Sequence, residues 1–332
     1  MERTAIVIVT YKRQELLDRL LESLLFLDEA PWRVFVVDNE ASAETARLVE
    51  TYARLVGEGL TAVPWEAGAE TFVHAPQAQN TGGAGGFAEG VRMAYEAGAQ
   101  WFWLMDDDVA VKPEALSVLS RWSGRFDAIQ GSRQDYDGGP FWWQYRFIPS
   151  LGAYNPLAPS GFGPQGWKPA NALCFEGACF NRRVVEGIGL PDARFFVYWD
   201  DCIYGYLASK RFRVAVIQDV ILQRTRNVRN WEVSGVRQLN ASSDLTRYHV
   251  MKNRGHMANY LKRAGDYQPI MFAVGTATCA VKELIRLAAV DRGNVASGIQ
   301  SLAAGWRDAR AIMADGAWRP ASELGQEGGQ RA

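Results

Sequence analysis

The sequence predicts an α/β protein whose mostly parallel sheet is covered by helices on both faces. Continuous apolar, β-branched runs such as "AIVIVT" at 5–10 alternate with segments such as "RQELLDRLLESLLFL" at 13–27, whose leucines recur at helical spacing. Unbroken apolar strands are typical of parallel sheets buried on both faces. Acidic residues follow two of these runs, and ligands of such sheets bind at the carboxyl ends of the strands.

The alternation also gives the order of the elements. Further strands are predicted at 32–38, 71–75 and 101–105, and further helices at 42–56 and 86–98. After a strand-like run at 127–132, residues 135–169 are rich in aromatic residues, glycine and proline, and we predict a long functional loop without regular structure. Regular structure is predicted again over 172–182, 195–212 and 213–224.

Composition limits the classes of function. The chain has 332 residues, 48% hydrophobic and 22% charged, and its net charge of −1 does not indicate a nucleic-acid partner. Residues 210–263 hold twelve Lys and Arg against three acids. This excess either faces phosphates or an anionic membrane surface, or forms a solvated face. Four cysteines without CxxC spacing indicate a reduced, cytoplasmic protein.

Two apolar segments bear on the relation to membranes. The amino-terminal "TAIVIVT" is too short for a secretion signal followed by a cleavage site. The run "PIMFAVGTATCAV" at 269–281 is interrupted by Lys282 before it reaches the roughly 20 residues that a spanning helix needs. We expect this segment not to cross a membrane, although it can lie on one.

Two acidic clusters are candidates for chemistry. "WFWLMDDDV" at 101–109 places Asp106, Asp107 and Asp108 directly after an apolar strand, and a cation would offset their mutual repulsion. The alternative is a solvated loop or helix cap. A second pair, Asp200 and Asp201, follows the apolar "FFVY". Two such clusters favour a site in which one binds a metal and a diphosphate and the other supplies a general base.

The glycine-rich "QNTGGAGGF" at 79–87 allows two interpretations. Residues 83–88 fit the GxGxxA pattern of dinucleotide-binding proteins, with an acid 18 positions further on. However, "PQAQN" separates the preceding strand from the glycines, and three adjacent acids suit a cation better than a ribose hydroxyl. We therefore expect the glycines to let the backbone approach a sugar-diphosphate or to pack the helix against the sheet.

Several motifs together resemble the inverting family-2 glycosyltransferases of the GT-A fold. They are "VIVTYKR" at the start, "VVDN" at 36–39, "NTGGAGGF" at 80–87, "MDDDV" at 105–109 and "YWDD" at 198–201. The branch they resemble most is the bacterial galactofuranosyltransferases of mycobacterial-type galactan, and the short chain is most similar to the initiating type. The resemblance covers about residues 4 to 225.

This resemblance implies roles for the nucleotide-sugar side of the site. Uridine and diphosphate would contact residues along the strand ends and the glycine turn, namely Thr10, Arg13, Asn39, Asn80 and Gly83. Asp38 would lie close to the nucleotide base. Asp106 and Asp107 would contact the nucleotide-sugar. Asp108, together with Asp106, would bind Mn2+ or Mg2+.

The resemblance also implies roles on the acceptor side. Asp201 would be the general base and Asp200 would hold the acceptor or the sugar. Trp199 is a candidate for stacking on a sugar ring, as are Trp167 and the aromatic residues 141–145; ordinary packing is the alternative for the aromatic segment. Glu176 in "CFEGACF" is either an acceptor-binding residue or a buried structural acid.

One departure from the family concerns the metal. Related enzymes carry a metal-ligating His in a "VWH"-like context, where this chain has "VILQR" and thus Gln223. Either Gln223 supplies an amide oxygen, or His249 replaces the missing ligand, or more water completes the shell.

The function that these observations predict is metal-dependent, inverting transfer of galactofuranose from UDP-galactofuranose. The acceptor would be a polyprenyl-diphosphate-linked rhamnosyl-N-acetylglucosamine, used by an enzyme bound peripherally to the inner face of the cell membrane. Alternatives are a dTDP-rhamnose-dependent rhamnosyltransferase, a nicotinamide-dependent oxidoreductase and a catalytically silent carbohydrate-binding protein.

The predicted organisation is a catalytic domain followed by a helical extension. Residues 1–235 would form the catalytic domain, with a nucleotide-sugar half at about 1–110 and an acceptor half at about 111–235. Residues 236–323 would form a helical, basic extension, and 324–332 a disordered tail.

Overall fold

The computed structural model describes residues 1–66, 71–139, 141, 143–157, 161–227, 231–233, 237–239, 241–293 and 295–324. The strands are β1 Thr4–Thr10, β2 Arg33–Asp38, β3 Phe72–Pro76, β4 Trp101–Asp106, β5 Val109–Val111, β6 Ala128–Gln134, β7 Trp143–Ile148, β8 Ala153–Leu157, β9 Trp167–Pro169, β10 Ala178–Asn181, β11 Val214–Arg224, β12 Trp231–Val233 and β13 Arg237–Leu239. The helices are α1 Gln14–Leu24, α2 Ala43–Gly57, α3 Gly82–Ala97, α4 Ala115–Ser123, α5 Arg182–Ile188, α6 Asp200–Ser209, α7 Asp244–Arg263, α8 Pro269–Arg286, α9 Val295–Ala314 and α10 Ala321–Leu324.

The central sheet has the strand order β3-β2-β1-β4-β10-β6-β11-β5, and β9 also pairs with β11. Strands β1 to β4 are parallel, as are β6 and β11, while β10 runs antiparallel between β4 and β6. The α/β class and the mostly parallel sheet are therefore confirmed. Because β1, β2 and β4 point the same way, their carboxyl ends meet at one edge.

Both faces of the sheet are covered, as the continuous apolar strands predict. Ile6 and Ile8 of β1 pack in one core with leucines of α1, and Val7 and Val9 pack in a second core with Phe87 of α3. A third core joins the β7–β8 hairpin to α6, α7 and α8. The helices after residue 243 are thus packed against the part of the chain that carries "YWDD".

The predicted loop at 135–169 is wrong in part, because the segment contains the antiparallel hairpin β7–β8 and the short strand β9. The aromatic residues of "WQYRF" alternate with polar ones, which is the period of a strand. Trp142 lies outside the described residues, as does the predicted tail except for Leu324. Of the predicted regular segment 172–182, only β10 is a strand.

Helix α3 begins at Gly82, four residues before the predicted start. Three of its glycines, Gly82, Gly86 and Gly90, recur every four residues and lie very close to other parts of the chain. A Cβ at Gly86 or Gly90 would lie 2.6 Å from Val9 or 2.3 Å from Val7, and a Cβ at Gly82 would lie 2.1 Å from the carbonyl oxygen of Phe196. The glycines therefore do allow the helix to pack closely against the sheet. This close packing outweighs the low helix propensity of glycine.

Only part of the basic segment 210–263 is exposed on the surface. Arg247 and Arg254 of α7 are buried, so the interpretation of the whole segment as a solvated or phosphate-facing side does not hold for them. No described helix is both long enough and apolar enough to span a membrane.

We expect Gly90→Ala to lower the free energy of unfolding by about 1–3 kcal/mol, because the added methyl group would overlap Val7 and approach Val37. Gly57→Ala is the matched control, since a Cβ at this last residue of α2 meets nothing within 4 Å. Urea unfolding of both variants measures the difference. Wild-type stability of Gly90→Ala would contradict the close contact between α3 and the sheet.

Candidate active site

The first half of the site lies where three parallel strands end. Thr10 at the end of β1 pairs with Asp38 at the end of β2, and Val9 pairs with Asp106 at the end of β4. The sheet register therefore brings the sequence-predicted residues of three separate segments to one edge.

Asp107 connects two of these residues. Its carboxylate accepts a 2.8 Å hydrogen bond from the Thr10 hydroxyl and a 3.0 Å hydrogen bond from Arg13, whose guanidinium also lies 3.6 Å from Asp108 Oδ2. Burial raises the pKa of Asp107, and Arg13 and Thr10 oppose this. Asp107 is thus stabilised by partners within the protein.

Asp106 differs from Asp107, because its side chain makes no hydrogen bond or ion pair with any described residue. Burial raises its pKa well above the usual range, and the nearby charges of Asp108, Glu176 and Asp107 raise it further. A divalent cation would remove this repulsion, so the carboxylates of Asp106 and Asp108 fit a metal. Within the described residues, no group of three or more His, Cys, Asp and Glu side chains is arranged to hold one.

Both candidates for the missing third ligand make other contacts. The amide oxygen of Gln223 accepts a 2.9 Å hydrogen bond from Lys112 Nζ. The ring of His249 stacks on Phe196 with centroids 4.7 Å apart, and burial lowers its pKa to about 4. Of the candidate metal ligands, the aspartates are the ones that the strand ends position directly.

Asp38 and Asn39 shape the loops around the edge. Buried Asp38 accepts hydrogen bonds from the backbone N–H groups of Glu40 (2.9 Å) and Ser42 (2.8 Å) and lies 3.1 Å from His74 Nε2. Asn39 donates to the Gly82 carbonyl oxygen. It also accepts from the backbone N–H and the hydroxyl of Thr81. Both side chains are occupied within the protein.

Asn80 and Gly83 are more accessible. The Asn80 side chain accepts a 2.8 Å hydrogen bond from the Gly82 N–H and remains exposed. A Cβ at Gly83 would meet nothing within 4 Å, so the amino end of α3 is open at this point. An open helix amino terminus next to a strand edge is suited to a phosphate group.

The second half of the site lies at the amino end of α6. Burial raises the pKa of Asp201 to about 6, while hydrogen bonds from the Cys202 N–H, Cys174 and Tyr154 oppose the rise. Burial also raises the pKa of the neighbouring Asp200, and the charge of Asp201 adds to this. A carboxylate with a pKa near 6 is suited to accept a proton near neutral pH.

Tyr154 is a site residue that the sequence interpretation missed. Its hydroxyl lies 3.5 Å from Asp201 Oδ1, and its ring stacks on Trp199 with centroids 5.0 Å apart and planes 17° apart. It lies in the segment predicted to be an irregular loop, and recognising β8 would have been needed to find it. Trp199 and Tyr154 thus form an aromatic pair beside the proposed base.

Glu176 is a buried, ion-paired acid, one of the two interpretations left open by the sequence. It lies 2.6 Å from Arg133 and 3.6 Å from Arg224, and both guanidinium groups lie over the ring of Phe141. These two arginines are further residues that the sequence interpretation missed, although both lie at or near the carboxyl ends of apolar strands.

The structure does not bring Trp167 to this site. Its ring packs on Phe126 with centroids 4.9 Å apart and under the guanidinium of Arg125 at 4.5 Å. Phe126 and Arg125 directly precede β6, so Trp167 packs towards the end of the sheet opposite to the site. The proposed contact of Trp167 with sugar is therefore not supported by its position.

The sequence also matches a known protein family. The family model described as "Glycosyl transferase family 2" matches residues 5–186, which is more than half of the chain. The chain belongs to this family. The resemblance deduced from the sequence motifs is thereby confirmed.

Curated relatives in the family are galactofuranosyltransferases. The chain is 28% identical over 208 residues to galactofuranosyltransferase GlfT1 of Mycolicibacterium smegmatis, an alignment covering 59% of this chain and 61% of that protein. It is 28% identical over 201 residues to GlfT1 of Mycobacterium tuberculosis, covering 59% of this chain and 60% of that protein. The chain thus spans about 60% of the length of the curated relatives it matches.

Solved structures support the GT-A fold. TarS (residues 1–349) of S. aureus superposes with a TM-score of 0.51 at 13% identity, covering 94% of this chain and 88% of that chain. The mannosyltransferase PcManGT of Pyrobaculum calidifontis, in complex with GDP-Man and Mn2+, has a TM-score of 0.50 at 16% identity, with 94% and 78% covered. At such identities the similarity establishes the fold alone.

We expect Asp201→Asn to raise the melting temperature more at pH 8 than at pH 5. The pKa of Asp201 is about 6 in the folded chain and near 3.9 in an unfolded one. The folded state therefore binds more protons between these values, and its stability falls as pH rises through about 6. At pH 8 the substitution removes a buried charge, worth up to about 3 kcal/mol. Calorimetry at the two pH values measures the difference.

Asp127→Asn is the control for this experiment. Burial raises the pKa of Asp127, but hydrogen bonds from the Arg213 N–H and Asn181 outweigh this and lower it overall. Both pH values lie above its titration range, so Asp127→Asn should destabilise the protein equally at pH 5 and pH 8. An equal effect of Asp201→Asn at both pH values would contradict the raised pKa.

Proposed function

We propose that this protein is a metal-dependent, inverting galactofuranosyltransferase. It transfers galactofuranose from UDP-galactofuranose to a polyprenyl-diphosphate-linked rhamnosyl-N-acetylglucosamine acceptor in cell-wall galactan assembly. The observation that carries the proposal is Asp201, a carboxylate with a pKa of about 6 beside the aromatic pair Trp199 and Tyr154. The family and its curated galactofuranosyltransferase members support the donor class.

The donor side of the mechanism uses the strand edge. Asp106 and Asp108 would hold Mn2+ or Mg2+, which supplies positive charge that stabilises a departing diphosphate. Arg13 is half exposed next to these acids, so its guanidinium is available to contact the diphosphate while it holds Asp107 in place. The open backbone at Gly83 lets the nucleotide-sugar approach the amino end of α3.

The acceptor side supplies the base. Asp201 removes the proton of the acceptor hydroxyl as the oxygen attacks the anomeric carbon, and UDP leaves from the opposite face. One base and one displacement invert the anomeric configuration. Burial raises the pKa of the neighbouring Asp200, as does the charge of Asp201, and the carboxyl group of Asp200 would hold the acceptor or the sugar.

A lipid-linked acceptor is supported by the outer face of α8. Six large apolar side chains of this helix are exposed, namely Ile270, Met271, Val274, Val281, Leu284 and Ile285. An exposed apolar stripe on a helix that lies in the plane of a membrane surface would anchor the enzyme peripherally. Burial raises the pKa of Tyr198, which precedes Trp199 and Asp200, and the charges of Arg286 and Glu283 on the buried side of the same helix also act on it. The buried side of α8 therefore lies near the proposed acceptor side, while the apolar stripe is exposed.

The experiment that tests this function is transfer by the purified protein to a synthetic rhamnosyl-N-acetylglucosaminyl lipid. UDP- and dTDP-sugars are supplied with and without Mn2+ or Mg2+, and products are identified by mass spectrometry. A hexose added only from UDP-galactofuranose and only with metal supports the proposal. Transfer from dTDP-rhamnose instead would contradict the donor, and sugar binding without turnover for every donor would contradict catalysis.

Asp201→Asn should lower the rate of transfer by about 10²–10⁴-fold, because the amide cannot accept the proton. UDP affinity should stay within about twofold, since the substitution lies on the acceptor side. Initial rates and calorimetric UDP titration measure the two quantities, with Asp127→Asn as the control variant that should keep the rate. An active Asp201→Asn enzyme would remove the proposed base.

Asp108→Ala should weaken UDP binding in the presence of Mn2+ or Mg2+ and leave the weaker, metal-free binding nearly unchanged, because it removes one carboxylate that would hold the metal. Titration of UDP with metal and with EDTA measures both affinities. Metal enhancement of UDP binding that is equal in the variant and the wild type would contradict this role.

A further inference from the structure

The segment that precedes Asp200 has an unusual backbone. Phe196, Tyr198 and Trp199 have positive φ angles of 63°, 68° and 76°. Non-glycine side chains rarely adopt this region, and aromatic ones least readily, so the surrounding structure must hold the segment in place. The conformation brings the Trp199 ring onto Tyr154 and starts α6 at Asp200, one residue before Asp201.

The Asn253 side chain of α7 holds this segment at three points. The amide nitrogen of Asn253 donates to the carbonyl oxygens of Phe195 (2.8 Å), Val197 (2.8 Å) and Tyr198 (2.9 Å). Its two hydrogens therefore serve three acceptors. Asn253 is fully buried, and its own amide oxygen has no hydrogen-bond partner within the described residues. The residue is thus placed to donate to this segment at the cost of an unsatisfied acceptor.

Neighbouring residues of α7 contact the same region. The carbonyl oxygen of Val250 accepts a 3.3 Å hydrogen bond from the Trp199 indole, and Lys252 donates to the Arg194 carbonyl oxygen at 3.0 Å. Buried Arg254 donates to the carbonyl oxygens of Leu151 and Gly152, in the turn that leads to Tyr154. Adjacent residues of one helix therefore hold both partners of the aromatic pair.

We propose that Asn253 is a positioning residue for glycosyl transfer, which holds the strained Phe196–Trp199 segment so that Trp199 and Asp201 meet the acceptor in the reactive arrangement. The inference rests on the proposed function of Asp201. The side-chain hydrogen bonds of Asn253 go to the segment before α6 and not to the ends of β1, β2 and β4, so we expect its main effect on the acceptor side. Through Asn253, the helical part of the chain that follows residue 243 would contribute to the reaction.

Asn259 provides a matched control in the same helix. It is also a buried asparagine, and its amide donates a 2.7 Å hydrogen bond to a backbone carbonyl oxygen, that of Ile312 in α9. The side-chain hydrogen bonds of Asn259 join it to Ile312 and Lys262 and not to the segment before α6. Loss of either amide costs stability, but only loss of Asn253 releases the strained backbone.

The test compares Asn253→Ala and Asn253→Ser with Asn259→Ala in the full chain. We expect Asn253→Ala to lower kcat by about 10²-fold, as expected when reacting groups are misplaced by about 1 Å, and to leave the Kd for UDP within about twofold. Asn253→Ser keeps one donor and should lose less. Asn259→Ala should keep kcat within about threefold at a similar loss of melting temperature. Equal losses of kcat in the Asn253 and Asn259 variants, or wild-type kcat in Asn253→Ala, would overturn the proposal.

Hydrogen exchange separates this inference from the proposed function. Amides of residues 196–203 should exchange at least about tenfold faster in Asn253→Ala or Asn253→Ser than in the wild type, and should be unchanged in Asn259→Ala. Unchanged exchange in both Asn253 variants would overturn the proposal even if the enzyme transfers sugar. A wild-type protein that transfers no sugar while these amides respond would instead refute the proposed function, and with it the role of Asn253 in transfer.

Discussion

The cost of holding several carboxylates together away from water is the constraint on which the rest of this structure depends. The protein offsets most of that cost locally: Thr10 and Arg13 stabilise Asp107, and two arginines stabilise Glu176. Burial still raises the pKa of Asp107, raises the pKa values of Asp106 and Asp200 well above the usual range, and raises that of Asp201 to about 6. Asp106 and Asp201 belong to the two positions for which we propose reactive roles, and carboxyl groups with raised pKa values are common at functional sites.

These two positions are built in different ways. The donor side follows from the sheet, since parallel strands align Thr10, Asp38 and Asp106 without special backbone geometry. The acceptor side depends on a strained segment and on helix α7, which is far away in the sequence. The catalytic arrangement and the helical extension are therefore one packed unit, joined by the core that contains Phe195 and Met257.

The sequence predicts the donor side better than the acceptor side for physical reasons. Apolar periodicity is a local signal, and it locates β1 to β4 and the acids that follow them. Tyr154 and Asn253 become site residues only through contacts with residues 47 and 55 or more positions away. The sequence of α7 is rich in polar residues and therefore predicts a solvated helix. No local pattern indicates that Asn253 and Arg254 are buried. Trp167 is a candidate for sugar stacking in the sequence because aromatic content alone does not distinguish a binding platform from packing.

The most direct test of the account is the anomeric configuration of the product. Transfer from UDP-α-galactofuranose to the synthetic acceptor lipid, followed by NMR of the new glycosidic bond, reports the number of displacements. One displacement assisted by Asp201 predicts a β-galactofuranoside as the first product. An α-galactofuranoside would mean two displacements or a different mode of attack, and would contradict the assignment of Asp201 as the single base.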